Sequence, residues 1–195
     1  MNYRHRGLIL TVMAAWCCGR LYADPPSSSG ADKTTKAATK KPLSDQEILS
    51  QLHLSNKTDI EAAQLSEERA STDDVLDFAH HLGKEHTVAD LKVRALAGRL
   101  GIKLKEALTP ITDDDKKIVA RHESTMARLR SSKGREFEHI LLRLVTREHA
   151  THIHLLERQL KLLPKDSPVY ELVTQCLPEL REQYQTASHL GGLPQ

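Results

Sequence analysis

The sequence predicts an all-α protein, a four-helix bundle with a short extra helix joining its two halves. Three observations carry that expectation. Through most of the chain after Leu43, apolar residues recur at alternating steps of three and four, the spacing that places them on one face of a helix. No stretch alternates with period two for long enough to form a strand. Ser, Thr, Gly and Pro stand where the apolar stripes begin and end, as helix caps and stops require.

The elements can be justified in chain order. Residues 1–23 have the form of a signal peptide: Arg4, His5 and Arg6, the apolar run Leu8 to Trp16, and a short polar stretch ending at Ala23. The run is too short to span a bilayer, so cleavage after Ala23 is expected, with an uncleaved membrane anchor as the alternative. Cys17 and Cys18 invite a lipoprotein reading, but Trp16 stands where lipid attachment wants a small residue. Residues 24–43 are mostly Pro, Ser, Thr, Ala and Lys without apolar periodicity, the composition of a flexible linker.

Residues 44–190 are expected to be the bundle, with 191–195 as a tail. Ser44 followed by Glu47 is a capping box opening the first helix. Its stripe is Leu49, Leu52, Asn56, Asp59, Ala63, Ser66 and Ala70. Ser71 and Thr72 break the chain, and Val75, Ala79, Leu82, His86, Ala89, Val93, Leu96 and Leu100 line the second helix, which Gly101 ends. So short a link makes the pair an antiparallel hairpin.

Beyond Pro110, Thr112 is expected to cap a shorter third helix whose weak stripe is Ile118, His122, Thr125 and Leu129. The fourth helix carries Leu142, Val145, His149, His152, Leu156, Leu160 and Leu163. The fifth follows Pro168 with Val169, Val173, Cys176, Leu180, Gln183, Ala187 and Leu190, and Pro178 inside it is expected to kink it. The segment from Gly101 to Gly134 is long enough to return the chain along the bundle, the single crossover of ferritin-like topologies.

Composition removes several function classes. Lys and Arg number 28 against 26 Asp and Glu, and the first 23 residues hold three arginines and no acid, so the remainder is close to neutral. Neither that balance nor the 4% aromatic content suits nucleic acid. Without residues 1–23, Cys176 is the only cysteine, so no internal disulfide forms and Cys176 reads as a small buried apolar residue. No Walker loop, nucleophile elbow, His-Glu-x-x-His or Cys-x-x-Cys occurs, and an enzyme is the less favoured expectation.

The stripes are interrupted near mid-height by Asp59, His86 and His149, with His152 one turn beyond and Gln183 on the fifth helix. Polar groups in an apolar core cost free energy unless they bond to each other, to water or to a metal. One reading is a hydrogen-bonded layer that sets helix register. Another is a metal site, since Asp59, His86, His149 and His152 are competent ligands for Zn, Cu or Fe. A pH-sensing histidine layer is a third. Glu136 and His139 make the one Glu-x-x-His match of di-iron bundles, off the stripe.

The blocks NKTDIEAAQLSEERA, VLDFAHHLGKEHTVADLKVRALAGRLG, REFEHILLRLVTREHATHIHLLE and CLPELREQYQTASHL resemble, in order and spacing, the bacterial domain of unknown function 4142 family. That resemblance implies an exported protein, often described as an outer membrane protein, with a ferritin-like bundle and no established activity. His86 in KEHT then stands at the family's Asp-His-Thr motif and His149 in REHA at a second histidine. Glu138 stands where the family usually has aspartate, Asp59 where it usually has glutamate, and Gln183 where it usually has a further histidine.

Taken together, these readings lead to an exported binding or stress-related protein of the periplasm or outer membrane, with no nucleic-acid partner. An envelope surface or another protein is the expected partner, and the metal-binding or redox bundle is the alternative. Oligomer contacts, if formed, are expected at Leu141, Leu155 and Leu162 on the fourth helix, with packing of these residues on the crossover helix as the equal alternative.

Overall fold

The structure is a computed structural model that describes residues 42–107, 110 and 113–192. The signal peptide and nearly all of the linker, residues 1–41, lie outside the described residues, as do the Thr112 cap and residues 193–195 of the tail. The described residues form helices α1 (Asp45–Arg69), α2 (Asp73–Arg99), α3 (Asp113–Ser131), α4 (Gly134–Leu160) and α5 (Pro168–Leu190), and no strand occurs among them. None of these helices is long and apolar enough to cross a membrane.

The start of α1 follows the expected chemistry. The Ser44 hydroxyl accepts from the Glu47 N–H and the Glu47 carboxylate accepts from the Ser44 N–H at 2.8 Å, completing the capping box. Leu43, the last residue of the expected linker, packs on the core cluster that holds Ile48, and its N–H donates to Gln159 Oε1 at 3.1 Å. An apolar residue just before the N-cap gains by covering the first turn. At the end of α2, Gly101 takes φ 66°, and the Ile102 N–H donates to the Ala97 carbonyl at 2.8 Å. That left-handed residue closes the helix as expected.

α1 packs on α2 and α4 on α5, while α2 also meets α5 and α1 meets α4, so the four long helices form a square. The core divides into two apolar clusters. One joins the start of α1 and α5 to the end of α2 and α4, through Leu49, Val93, Leu156 and Val173. The other joins the end of α1 to the start of α2 and α4, through Ala62, Leu82, Phe137 and Leu141, and takes in Ala187 near the end of α5. Every neighbouring pair is therefore antiparallel. α2 ends at the first cluster and α4 begins at the second, so the intervening segment runs the length of the bundle, as a single crossover must.

α3 lies against α4 and α1 at the outside of the square. Its expected stripe holds at one end only. Leu129 is buried, together with the unpredicted Met126, whereas Ile118 is 51% exposed. The reason is that only the last turns of α3 reach the second cluster. Leu141 takes the second of its two expected roles: it is fully buried in the cluster that holds Met126 and Leu129 of α3, not an outward contact. α5 continues through Pro178 as one helix. Pro178 and Thr174, whose carbonyl the proline cannot bond, both lie on its exposed side, where water can serve the free group.

Candidate metal centre

Between the two apolar clusters each long helix contributes a polar side chain. Asn56 and Asp59 come from α1, His86 from α2, His149 from α4 and Gln183 from α5, and all five are buried. They arrive there because each occupies a position of its helix's core stripe, so the spacing that buries the leucines buries these groups too.

Gln183 organises the layer. Its Nε2 donates to Glu85 Oε2 at 2.7 Å, and a carboxylate only accepts, which fixes the amide with Oε1 turned inward. Oε1 lies 2.8 Å from His149 Nε2 and 3.1 Å from His86 Nε2, and His149, whose Nδ1 has no partner, carries its proton on Nε2 and donates it to that oxygen. The rings meet edge to face, with centroids 5.5 Å apart and planes at 78°. His86 Nδ1 is 2.8 Å from Asn56 Oδ1, and His86 Nε2 is 3.5 Å from Asp59 Oδ2. The Ser55 hydroxyl reaches Asp59 Oδ2 at 3.4 Å and His152 Nδ1 at 3.0 Å.

This network leaves polar atoms unserved. Asp59 Oδ1, His149 Nδ1 and Asn56 Nδ2 are buried with no hydrogen-bond partner. Such groups are uncommon in a core because each forfeits its hydration without replacement. Asp59, His86 and His149 each present a ligand atom, and the three atoms lie within 4.8 Å of one another. Burial pushes the His149 imidazole below the ordinary histidine range, only partly opposed by the Asp59 charge. Its neutral form is the one that binds metals. The donor set is two imidazoles and one carboxylate, which suits Zn, Cu or Fe.

The expected ligands are thus divided. Asp59, His86 and His149 come together, while His152 stands outside that group and bonds to Ser55. Burial lowers the His152 pKa as well, ahead of the opposing Asp59 charge. Glu136 and His139 are exposed, as their place off the stripe implied. Glu138 is no part of the layer: its Oε1 accepts from the N–H and hydroxyl groups of Ser71 and Thr72 at 2.7 to 3.0 Å, serving the start of α2.

The match to known proteins agrees with the sequence blocks. The family model for Domain of unknown function (DUF4142) matches residues 30–190. The chain belongs to the DUF4142 family. A solved structure described as the crystal structure of a DUF305 fragment from Deinococcus radiodurans is similar to this DUF4142 chain with a TM-score of 0.65 at 20% identity. It covers 76% of this chain and 95% of its own, and at that identity the likeness speaks to the fold alone. No curated protein matches in sequence.

Two parts of the DUF4142 domain's polar interior escaped the sequence reading. Ser55 and Glu85, which hold Asp59 and Gln183, lie beside the stripes rather than on them. His53, one position from the α1 stripe, is buried with its Nδ1 2.6 Å from Asp90 Oδ1 and its Nε2 3.6 Å from Glu106 Oε1. Asp90 follows the stripe residue Ala89 as His53 follows Leu52. That matching displacement was the available signal, since one-residue flanks of two antiparallel stripes can meet.

Proposed function

We propose that this protein is a non-enzymatic, metal-binding bundle of the cell envelope, holding one divalent transition-metal ion at Asp59, His86 and His149. The observation that carries the reading is the trio of buried ligand atoms within 4.8 Å of one another, beside Asp59 Oδ1 and His149 Nδ1, which lack any other partner. The single crossover and the ligands projecting inward from facing helices fit a ferritin-like bundle. The carboxylate-rich donors of a di-iron centre are missing from the layer, so a single ion is the better fit. The export reading of residues 1–23 supports the envelope location. It leaves the ion to be taken from outside the cytoplasm.

A second reading has its own support. Gln183 Oε1 already holds the two imidazole Nε2 atoms together, as a layer built only for helix register would. Titration of metal-stripped protein with Zn separates the two. A metal centre binds one equivalent, and at 100 times its dissociation constant free Zn stabilises the fold by about 2.7 kcal/mol. His86→Gln and Asp59→Asn then lose most of that gain, while exposed His139→Gln keeps it. A melting temperature that Zn and Cu leave unmoved would establish the register layer instead.

A further inference from the structure

The three proposed ligands are at most 4% exposed, so an ion reaches them only along a route through the bundle wall. Two hollows on the molecule bear on that route. A cavity of about 20 Å³ lies beside His86, Asn56 and Gln183, enough for one water or one bare cation. A groove of about 420 Å³ opens on the outside between α1, α3 and α4. They share two lining residues, Ser55 and His152. The 3.0 Å contact between Ser55 Oγ and His152 Nδ1 is therefore the partition between groove and interior.

We infer that the groove is the entry path for a divalent transition-metal cation and that the Ser55–His152 pair is its gate, an inference that rests on reading the inner layer as a metal site. Ligand chemistry marks the path. His122 Nδ1 and Glu148 Oε1 lie 3.0 Å apart in the groove wall. Glu148 and His152 are one turn apart on α4, a spacing that puts them on the same helix face. From His152 the next contacts inward are Ser55 and then Asp59 Oδ2. A cation moving along this line meets an oxygen or nitrogen ligand atom at each step, in a groove whose wall also holds Leu54, Ile118, Arg121 and Arg147, the last 3.5 Å from Glu148.

The gate can open without breaking the bundle. Ser55 Oγ has a second acceptor in Asp59 Oδ2, so its hydrogen bond can swing from the outer partner to the inner one. His152 is partly exposed and borders the groove. The other approach, between α2 and α5, ends at Glu179, which also lines the small cavity. That side also carries Glu85, whose Oε1 lies 3.0 Å from exposed His81 and whose Oε2 is taken by Gln183 Nε2, and the apolar Ala89, Cys176 and Leu180 complete its wall.

Stopped-flow measurement of Zn uptake, and of Zn release to a chromophoric chelator, tests the route in the full domain. Thr151 and Glu179 are both exposed, one lining the groove and the other the opposite approach, so a tryptophan at either position obstructs a path without entering the core. Thr151→Trp is expected to slow uptake and release alike, by about tenfold, with the dissociation constant unchanged. Ser55→Ala, which removes the partition bond, is expected to speed both. Wild-type rates in Thr151→Trp, or slowing in Glu179→Trp instead, would overturn the route while leaving the metal centre standing. A wild type that takes up no Zn would remove the centre and the route with it.

Discussion

The carboxylate of Glu138 accepts four hydrogen bonds from the turn between α1 and α2, so a side chain on α4 serves the N–H of the N-cap Thr72, as the glutamate of a capping box would if Val75 did not stand at that position. The Thr72 side chain makes no capping bond of its own to the helix. Burial taken alone would raise the Glu138 pKa, but the Ser71 and Thr72 donors outweigh it and hold the carboxyl below the ordinary range. A depressed carboxyl stabilises the fold fully above its unfolded pKa, and that stabilisation is lost as pH falls through the folded value. Glu138→Ala is expected to cost about 1.5 to 3 kcal/mol at neutral pH. It should also flatten the acid limb of the stability curve below about pH 4.5. Chemical denaturation across pH checks both, and an unaltered acid limb would count against this account. Cys176 behaves in the opposite sense. Burial pushes its thiol up to about 11, leaving almost no thiolate at neutral pH, so alkylation should track global unfolding rather than native exposure. Alkylation of the folded protein at a free-thiol rate would contradict its burial.

At the scale of elements, the α1–α2 hairpin is held by a close approach. A Cβ built on Gly83 would stand 2.9 Å from the Ala63 Cβ, nearer than real carbon contacts allow. Replacing a mid-helix glycine by alanine ordinarily gains about 1 kcal/mol, whereas forcing atoms into a packed interface costs about 1 to 3. Gly83→Ala is therefore expected to destabilise, and Ala63→Gly in the same chain to recover part of the loss. Leu82→Ala, in the core beside it, should cost about 2 to 5 kcal/mol, against about 0.5 or less for a change at exposed Lys92. Urea melts of the four variants give the comparison, and equal effects at Leu82 and Lys92 would mean that the α2 stripe is misplaced. The stripes of α1, α2, α4 and α5 were readable because each helix buries one continuous face, so the alternation of three and four persists from end to end. The exception is Leu100, the C-cap of α2, which stands 40% exposed where the bundle no longer covers it. The α3 stripe was not readable, because that helix is anchored at its Met126 and Leu129 end and its polar remainder follows no single face. For the site, residues on the stripes could be found by spacing. The roles of Ser55, Glu85 and Glu138 could not, since each depends on which helices become neighbours across the fold.

Over the whole molecule, the polar layer divides what could have been one apolar core into two clusters. Burying Asp59, two imidazoles and two amides there requires dehydrating all of them, and the network returns only part of that cost, as the partnerless Asp59 Oδ1, His149 Nδ1 and Asn56 Nδ2 attest. A layer kept only for stability should do better than a hydrophobic replacement. A layer kept for binding should do worse when empty and better when filled. Replacing Asp59, His86, His149 and Gln183 together by leucine joins the two clusters through apolar side chains. Where buried polar sets have been exchanged in this way, stability has often stayed level or risen by about 1 to 4 kcal/mol. The expected outcome is that the metal-free leucine variant melts at or above the metal-free wild type and gains nothing from added Zn, whereas wild type with Zn recovers the difference. Calorimetry of both chains, stripped and Zn-loaded, decides it. A leucine variant that melts far below the metal-free wild type, or without a cooperative transition, would show that the layer is needed to fix the register of the four helices.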